Sequence, residues 1–419
     1  MAEKVERKER KPELRFKGFD GEWEKKILSE IMDEFIVPMR DKPKEFGGSI
    51  PWTRIEDIEG RCINGTLSNQ YVTEETVVKM NLKIIPKNSL IVSASATFGV
   101  VAVVTRDLIT NQTFIGLVPS SKYNLDYLYA FFHSHVAREY MKEKSAGSTI
   151  FYISQNDFKN MVALHPDLQE QTEIGEWFKD IDSCITNQQH KYNQLQNLKK
   201  AMLEKMFPRE GADVPEIRFK GFEGAWNREL LNVYLTVSNE KNETETYTKE
   251  DVLSVSGEVG IVNQIKFQGR SFAGVSVSNY GVVHTGDIVY TKSPLSSNPF
   301  GIIKTNLGCT GIVSTLYAIY RPTEKVYPEF VQHYFEQNER LNNYLRPLVN
   351  KGAKNDMKVP NDRVLTGRVS FPGYAEQKRI SEFFSSIDVL LNKSAIKIGK
   401  LQSFKSALLE KMFVSEADA

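Results

Sequence analysis

The chain has 419 residues, 54 Lys and Arg against 53 Asp and Glu, a formal charge of +1 and a hydrophobic content of 41%. This length predicts roughly two to four domains, and the ordinary globular composition excludes a disordered, fibrous or membrane-spanning protein. Because the net charge is close to zero, any nucleic-acid surface must be local. The longest apolar stretch, Leu90 to Val104, is interrupted by Ser93, Ser95 and Thr97 and is too short to span a membrane.

The N-terminal segment and the cysteines also limit the class of protein. Residues 1 to 13 form a run of charged residues without the apolar core of a signal peptide. We therefore expect a disordered tail over residues 1–12 and a cytoplasmic location. Cys62, Cys184 and Cys309 lie far apart with no CxxC pair, which argues against a zinc site and against a disulfide framework.

Three sequence blocks occur twice along the chain. Each block returns after 203 or 206 positions: ELRFKGFDGEW at 13–23 as EIRFKGFEGAW at 216–226, EQTEIGEWFKDID at 170–182 as EQKRISEFFSSID at 376–388, and LKKAMLEKMF at 198–207 as FKSALLEKMF at 404–413. One duplicated unit of this size predicts a pair of domains rather than a solenoid. The sequences between the blocks have diverged, which is typical of two related modules that read different targets. Drift under relaxed constraint gives the same pattern.

A sustained heptad pattern joins the second and third blocks of each copy. The apolar seam positions are Ile174, Phe178, Ile181, Ile185, Tyr192 and Leu195 in the first copy and Ile380, Phe384, Ile387, Leu391, Ile398 and Leu401 in the second. Each copy also carries two polar seam positions, Gln188 and Lys199 in the first and Ser394 and Lys405 in the second. The pattern predicts two helices of about 40 residues, each roughly 60 Å long.

A helix with so long an apolar stripe needs a partner. The simplest partner is the other copy, which gives an intramolecular coiled coil whose polar positions help to set the register. Packing of each helix on its own domain is an alternative, and homodimerisation through the seam is another. The sequence leaves these arrangements open.

The regions at 31–165 and 236–371 mix short β-rich runs with helical segments and predict two α/β modules. The predicted strands are Leu90 to Ser93, Val100 to Val104, Ile288 to Thr291 and Ile312 to Tyr320, and the predicted helices are Leu125 to Lys144 and Tyr327 to Leu348. We interpret the aromatic residues of these helices as core rather than as base-stacking platforms.

A loop rich in small, polar and basic residues follows each predicted helix, KEKSAGSTI at 142–150 and RPLVNKGAKNDMK at 346–358. Hydroxyls and amides can read base edges, and cations neutralise phosphates. The candidate DNA-binding residues are Arg138, Lys142, Lys144, Ser148, Thr149, Lys292, Arg346, Lys351, Lys354, Asn355 and Lys358. A solvated surface loop explains the same pattern equally well.

Motifs for catalysis are missing from the sequence. His133 and His135 have no accompanying Cys, His and Asp cluster, so we expect no metal site. SNPFG at 297–301 resembles part of the Asn-Pro-Pro-aromatic motif of amino-methyltransferases, but it lacks the second proline and we interpret it as a turn. Neither a P-loop nor a Gly-rich cofactor loop is present. The sequence therefore predicts a chain that neither methylates nor cuts DNA by itself.

The RFKGF blocks, the EQ helix starts and the LEKMF helix ends closely resemble the specificity subunit of type I restriction-modification enzymes, from residue 13 to residue 413. The resemblance implies two α/β target-recognition domains, at 13–165 and 211–371, that each read one half of a bipartite DNA site. It also implies that spacer helices at 166–210 and 372–419 form an antiparallel coiled coil that separates the domains, with an internal pseudo-two-fold duplication.

The resemblance further implies partners and cofactors. In that family two modification (methyltransferase) subunits and two ATP-dependent restriction subunits join the specificity subunit, and S-adenosylmethionine, ATP and Mg²⁺ belong to them. The assembled complex is an adenine DNA methyltransferase and a site-specific deoxyribonuclease. One departure is that GAKNDMKVPNDRVLTGRVSFP at 352–372 matches GSTIFYISQNDFKNMVALHP at 147–166 only loosely, so contact residues do not transfer between the halves. A coiled-coil adaptor that binds only proteins is the alternative function.

Overall fold

A computed structural model of the chain describes residues 10–93, 99–145, 153–295, 297–349, 357 and 359–415. The chain divides into two compact units: unit 1 contains Met1–Lys191 and Ser394–Ala419, and unit 2 contains Tyr192–Lys393. Each unit therefore combines one of the diverged regions with the beginning of one long helix and the end of the other.

Unit 1 is built on a six-stranded sheet with two smaller sheets. Its strands are β1 (Glu24–Ile27), β2 (Met32–Ile36), β3 (Ile50–Thr53), β4 (Ile58–Glu59), β5 (Cys62–Ile63), β6 (Tyr71–Val72), β7 (Leu90–Ser93), β8 (Val101–Val104), β9 (Ile109–Thr110), β10 (Phe114–Pro119) and β11 (Val162–His165). The main sheet has the order β2-β10-β7-β8-β5-β4, and its neighbours pair antiparallel except β5 with β8. The smaller sheets are β6-β3-β9 and β1-β11.

The helices of unit 1 are α1 (Leu28–Ile31), α2 (Glu74–Lys79), α3 (Leu125–His133), α4 (His135–Lys144), α5 (Gln155–Lys159) and the first part of α6 (Leu168–Lys205). The prediction of one helix from Leu125 to Lys144 was wrong, because the chain breaks at Ser134. Ser134 has extended backbone angles, and its hydroxyl accepts from the Ala137 N–H as the N-cap of α4.

Unit 2 repeats part of this framework. Its strands are β12 (Asn227–Leu230), β13 (Leu235–Ser238), β14 (Leu253–Ser256), β15 (Gly260–Asn263), β16 (Gly281–Val283), β17 (Ile288–Thr291), β18 (Ile303–Thr305), β19 (Gly311–Val313), β20 (Tyr317–Pro322) and β21 (Arg368–Phe371). The sheet β13-β20-β17-β18 has the same order as β2-β10-β7-β8 of unit 1, and β12-β21 corresponds to β1-β11. The pairs β14-β15 and β16-β19 form two separate sheets.

The helices of unit 2 are α7 (Gln264–Gln268), α8 (Pro328–Tyr334), α9 (Asn338–Leu345), the first part of α10 (Tyr374–Lys411) and the last part of α6. The helix predicted from Tyr327 to Leu348 is divided, because Arg340 donates to the Tyr334 carbonyl and ends α8 there. The strand predicted from Ile312 to Tyr320 is also divided, by a turn in which the Tyr317 N–H donates to the Ser314 carbonyl.

The other predicted strands agree with the structure. The strands at Leu90–Ser93 and Ile288–Thr291 are confirmed at both ends, and the one predicted from Val100 begins one residue later. Within the described ranges no helix combines the length and the apolarity needed to cross a lipid bilayer.

The two long helices, α6 and α10, each have 38 residues and confirm the helices predicted from the heptad pattern. Every apolar seam residue is buried or half-buried, although both helices carry many exposed side chains on their other faces. In unit 1 the Gln188 amide donates to the Ser394 hydroxyl at 2.9 Å, and Lys405 contacts Asp182 at 2.6 Å. Residue numbers rise along one helix as they fall along the other, so the helices pair antiparallel.

Three repeated blocks meet in the core of unit 1. Phe413, two residues after the end of α10, lies 6.3 Å from the Trp23 ring and 6.1 Å from the Phe178 ring, measured between ring centroids. Trp23 and Phe178 come from the first copy of the repeat, whereas Phe413 comes from the second. The core is therefore completed by a residue from the other copy.

Unit 2 is completed in the reciprocal way. Phe207, at the end of the first copy, packs at 6.1 Å from Trp226 and at 5.8 Å from Phe384, both from the second copy. All three rings are buried. The arrangement in which each helix packs only on its own domain is therefore wrong, because the end of each helix packs on the other domain.

In each unit a buried ion pair joins the first repeated block to the second. The Arg15 guanidinium donates to both oxygens of Glu170 at 2.7 and 2.6 Å, and Arg218 does the same to Glu376 at 2.7 and 2.8 Å. Both carboxylates are almost completely buried. The paired geometry joins each RFKGF segment to the start of a long helix, and a lysine could not reproduce it because it lacks the planar fork.

Lys199 occupies a polar cluster between α6 and α10 in unit 2. Its ammonium donates to Glu336 at 2.5 Å and to Asp388 at 2.6 Å, while buried His333 lies 3.2 Å from the other Glu336 oxygen. Burial alone would raise the pKa of Glu336, but the hydrogen bond to His333 and the charge of Lys199 lower it to about 2. Glu336 is therefore ionised at neutral pH and depends on Lys199 for compensation.

We predict that Phe413→Ala destabilises unit 1 by about 3–5 kcal/mol, the usual cost of removing a fully packed ring. The matched control is Phe404→Ala on the same helix, where the ring is 47% exposed. This control should change stability by less than about 0.5 kcal/mol. Urea unfolding of both variants followed by circular dichroism measures the difference, and equal effects would contradict the packing of Phe413.

We predict that Lys199→Met destabilises the protein by about 1–3 kcal/mol at pH 7, because it leaves the half-buried Glu336 and Asp388 carboxylates without their cation. Since the folded pKa of Glu336 is depressed, its stabilisation is present above the ordinary glutamate pKa and is lost as pH falls toward about 2. The difference between wild type and variant should therefore shrink between pH 7 and pH 3. Lys200→Met, at an exposed neighbouring position, is the control, and a difference independent of pH would argue against the pairing.

Candidate nucleic-acid interface

A polar recess of about 210 Å³ lies at one edge of the main sheet in unit 2. The sheet order β13-β20-β17 places the ends of β13 and β17 on either side of the start of β20, because both strands run antiparallel to it. The residues that follow these two strands, Asn239 and Lys292, therefore line the same recess. The sheet topology brings together residues that are far apart in sequence.

Amides and hydroxyls dominate the lining of this recess. It is formed largely by Asn239, Asn279, Lys292, Ser314, Thr315 and Asn361. Asparagine can donate and accept at once and matches the donor and acceptor pair on the edge of adenine, while hydroxyls adapt to either partner. The recess therefore has the chemistry of a surface that reads hydrogen-bonding groups.

Lys292 is the half-buried cation of the recess. Its ammonium donates to the Asn361 side-chain oxygen at 2.6 Å, and its backbone N–H donates to the Leu316 carbonyl at 3.0 Å. Partial burial lowers the pKa of Lys292. Because the Asn361 amide is neutral, this contact does not compensate the positive charge of the ammonium.

The acidic member of the lining is already compensated. Glu240 accepts from Arg321 and lies 3.1 Å from His284 Nε2, and these contacts lower the pKa of its carboxyl. The electrostatic character of the recess therefore depends mainly on Lys292 and on the exposed Lys241.

The other sequence candidates are distributed differently. Arg138, Lys142 and Lys144 are exposed on α4, and Lys144 contacts the adjacent Glu143 at 3.0 Å. Arg346 is exposed just after α9. The remaining candidates lie outside the described residues: Ser148, Thr149, Lys351, Lys354, Asn355 and Lys358.

Sequence reasoning identified Lys292 but missed the asparagines and hydroxyls around it. The available signal was positional, because Asn239, Lys292 and Ser314 each directly follow a strand. Polar residues at strand ends are common, so the signal becomes specific only when the sheet order is known. SNPFG at 297–301 forms a turn, as expected, in which the Gly301 N–H donates to the Asn298 carbonyl. Gly301 has φ +92°, a conformation that favours glycine.

Sequence reasoning also missed a cluster of three side chains of the types that bind metal ions. His333, Glu336 and Asp388 offer ligand atoms within 4.8 Å of one another. The Lys199 ammonium contacts both carboxylates at hydrogen-bonding distance. It therefore supplies the positive charge that a metal ion would otherwise bring.

The corresponding position in unit 1 keeps the lysine–aspartate pair, because Lys405 contacts Asp182 as Lys199 contacts Asp388. His133 lies nearby at the end of α3. Burial, followed by the charge of Lys405, lowers the pKa of His133 to about 3. The imidazole is therefore neutral at physiological pH, and the two helix junctions differ in the groups that surround a shared ion pair.

Comparisons with known proteins agree with this architecture. Residues 21–197 match the family model described as the type I restriction modification DNA specificity domain. The solved S subunit of a type I restriction-modification system from M. genitalium has a similar fold, with a TM-score of 0.63, 14% identity and coverage of 97% of this chain and 99% of that one.

Two curated relatives have higher sequence identity. The MjaIX specificity subunit of Methanocaldococcus jannaschii is 31% identical over 45% of this chain and 43% of its own length. The EcoR124I/EcoR124II specificity subunit of Escherichia coli is 30% identical over 42% of this chain and 44% of its own length. The chain thus spans less than half the length of these relatives. Over part of its length the chain is therefore similar to type I restriction-modification specificity subunits.

Proposed function

We propose that this chain is the DNA sequence-recognition subunit of a type I restriction-modification complex and binds a bipartite, asymmetric site. The recognition domains would be residues 13–165 and 211–371. The main support for the proposal is that the two units have the same four-stranded sheet but differ in the strands at its edge. Both units share the same order of four strands and the same aromatic junction, but among the described residues only unit 1 extends its main sheet by β5 and β4. Modules that share a scaffold and differ at its edges suit two different half-sites.

The recess beside Lys292 supports a role in reading DNA. In protein–DNA complexes, cations position the protein on phosphates, whereas amides and hydroxyls contact base edges. The recess combines both types of group at one edge of a rigid sheet. We assign Lys292 to a phosphate and the surrounding asparagines to bases.

Catalysis in this proposal belongs to other subunits. Two modification subunits would supply adenine methylation and two restriction subunits would supply ATP-dependent cleavage, with S-adenosylmethionine, ATP and Mg²⁺ bound by them. The chain would be non-catalytic and would direct both reactions to its site. The helices at 166–210 and 372–419 would act as the spacer between the recognition domains. This role places the protein in the cytoplasm, where it meets cellular DNA.

Replacement of residues 31–165 by the equivalent region of a relative should change one half of the methylated motif and leave the other half intact, because the second recognition domain is unchanged. The reciprocal replacement of 236–371 is the matched control and should change the other half. Methylome sequencing of strains that carry the wild-type chain, each chimera or no chain measures both. Methylation that does not depend on the chain, or a change in both halves, would contradict the proposal. Binding to methyltransferase subunits without DNA binding would favour the adaptor.

Lys292→Ala should weaken binding of the full chain, in complex with its modification subunits, to duplexes that carry the methylated motif. The expected loss is about tenfold, with a salt slope reduced by about 1, since one phosphate contact disappears. Lys249→Ala is the control, because Lys249 is exposed in the same unit and does not line the recess. Fluorescence anisotropy at several salt concentrations distinguishes the variants. If the salt slope of Lys292→Ala equals that of the wild type, Lys292 does not contact a phosphate.

A further inference from the structure

One segment of unit 2 carries exposed cations and no acidic residue of its own. Residues 259–286 contain no Asp or Glu, as is also true of the stretches 76–106 and 288–323. The segment comprises β15, α7, the connection from 269 to 280 and β16. Its cations include Lys266 and Arg270, both exposed. A long surface segment without acids is suited to a polyanion.

The same segment exposes large apolar side chains. The Phe272 side chain is 57% exposed, Phe267 48% and Val275 97%. Exposed apolar groups of this size contribute little to the core, and when several occur together they indicate a surface that is covered by a partner. The Arg270 guanidinium stacks on the Phe272 ring, 4.6 Å from its centroid. Arg270 forms no ion pair with the described residues.

The connection that carries these residues is held at both ends. The Gln264 side-chain oxygen accepts from the Phe272 N–H at 2.7 Å, and Val277 is buried in a small apolar cluster. Gly269 has φ +76° and ends α7, so the chain turns away from the helix directly before Arg270. The stacked pair is therefore positioned before any partner binds, which lowers the entropic cost of binding.

This connection also leads to the polar recess, because Asn279 is one of the recess residues. Serines at 271, 276 and 278 add hydroxyl groups along it. Two carboxylates from outside the segment contact it: Glu245 lies 3.2 Å from the Ser276 hydroxyl, and Glu240 lies 3.1 Å from His284 Nε2. An apolar side chain beside an arginine is the combination by which proteins contact a DNA groove, with the arginine in the negative groove or on a phosphate.

We propose that the Arg270–Phe272 pair is a DNA contact of the second recognition domain. Arg270 binds a phosphate or the floor of the groove, and Phe272 packs against sugars or bases next to the nucleotides that meet the recess. The assignment rests on the proposed function and adds to it a DNA contact that lies outside the recess.

The test uses the full chain in complex with its modification subunits and duplexes that carry the methylated motif. Arg270→Ala should weaken binding about tenfold and reduce the salt slope by about 1. Phe272→Ala should weaken binding by a similar factor with little change in slope, because it removes an uncharged contact. Arg379→Ala is the matched control, since Arg379 in the same unit stacks on Phe219 at 5.2 Å but lies on α10, outside the acid-free segment.

A second readout reports contact directly. Phe272→Trp places an exposed indole at the proposed contact, and its fluorescence should change when the duplex is added. Phe404→Trp, at an exposed position on α10, should not respond. A responding Phe272→Trp supports the proposal even if Phe272→Ala folds poorly.

The outcomes separate this proposal from the function on which it rests. If the wild-type complex binds no duplex, both are overturned. If it binds and the Arg270 and Phe272 variants match wild type without a fluorescence change, only the contact is overturned. If Arg379→Ala weakens DNA binding as much as Arg270→Ala, the effect comes from the loss of any positive charge and not from a specific contact of Arg270, and the proposed contact is overturned. Normal DNA binding with loss of co-purifying modification subunit would make the surface a protein interface.

Discussion

Each core of this protein depends on an aromatic residue supplied by the other copy of the repeat. Phe413 ends the second copy yet packs with Trp23 and Phe178 of the first, and Phe207 makes the reciprocal exchange. Each unit contains the beginning of one long helix and the end of the other. Neither unit can complete its core from its own copy alone. The burial of these rings therefore couples domain stability to helix pairing.

The polar contacts along the helices restrict the same arrangement. The pairs Gln188–Ser394 and Lys405–Asp182 in unit 1, and Lys199 with its two carboxylates in unit 2, are formed only in one register. An apolar seam by itself would tolerate a shift by one heptad, whereas a shift would leave these buried groups without partners. Specificity of register thus comes from polar residues and stability from apolar ones.

Outside this shared framework the two units differ in ways that matter for recognition. Unit 1 extends its main sheet, whereas unit 2 places an acid-free connection and a polar recess beside the start of β20. The framework fixes where strand ends lie, and the residues after the strands decide what those ends contact. Such a division lets one half change its target without disturbing the helix junction.

Periodicity and repetition in the sequence were enough to predict the duplication, both long helices, their seam and two strands with their exact bounds. These features are local, because a heptad or an apolar run is defined by neighbouring residues. The breaks at Ser134 and before α9 were missed, since capping by Ser134 and by Arg340 competes with helical periodicity. Lys292 was found by its charge. Asn239 meets it only through the strand order β13-β20-β17, whereas Asn279 precedes β16 of a separate sheet and Asn361 reaches Lys292 from a connection outside the sheets. The exchange of Phe413 and Phe207 follows only from antiparallel pairing. Contacts between distant residues depend on strand order and helix direction, which local patterns do not encode.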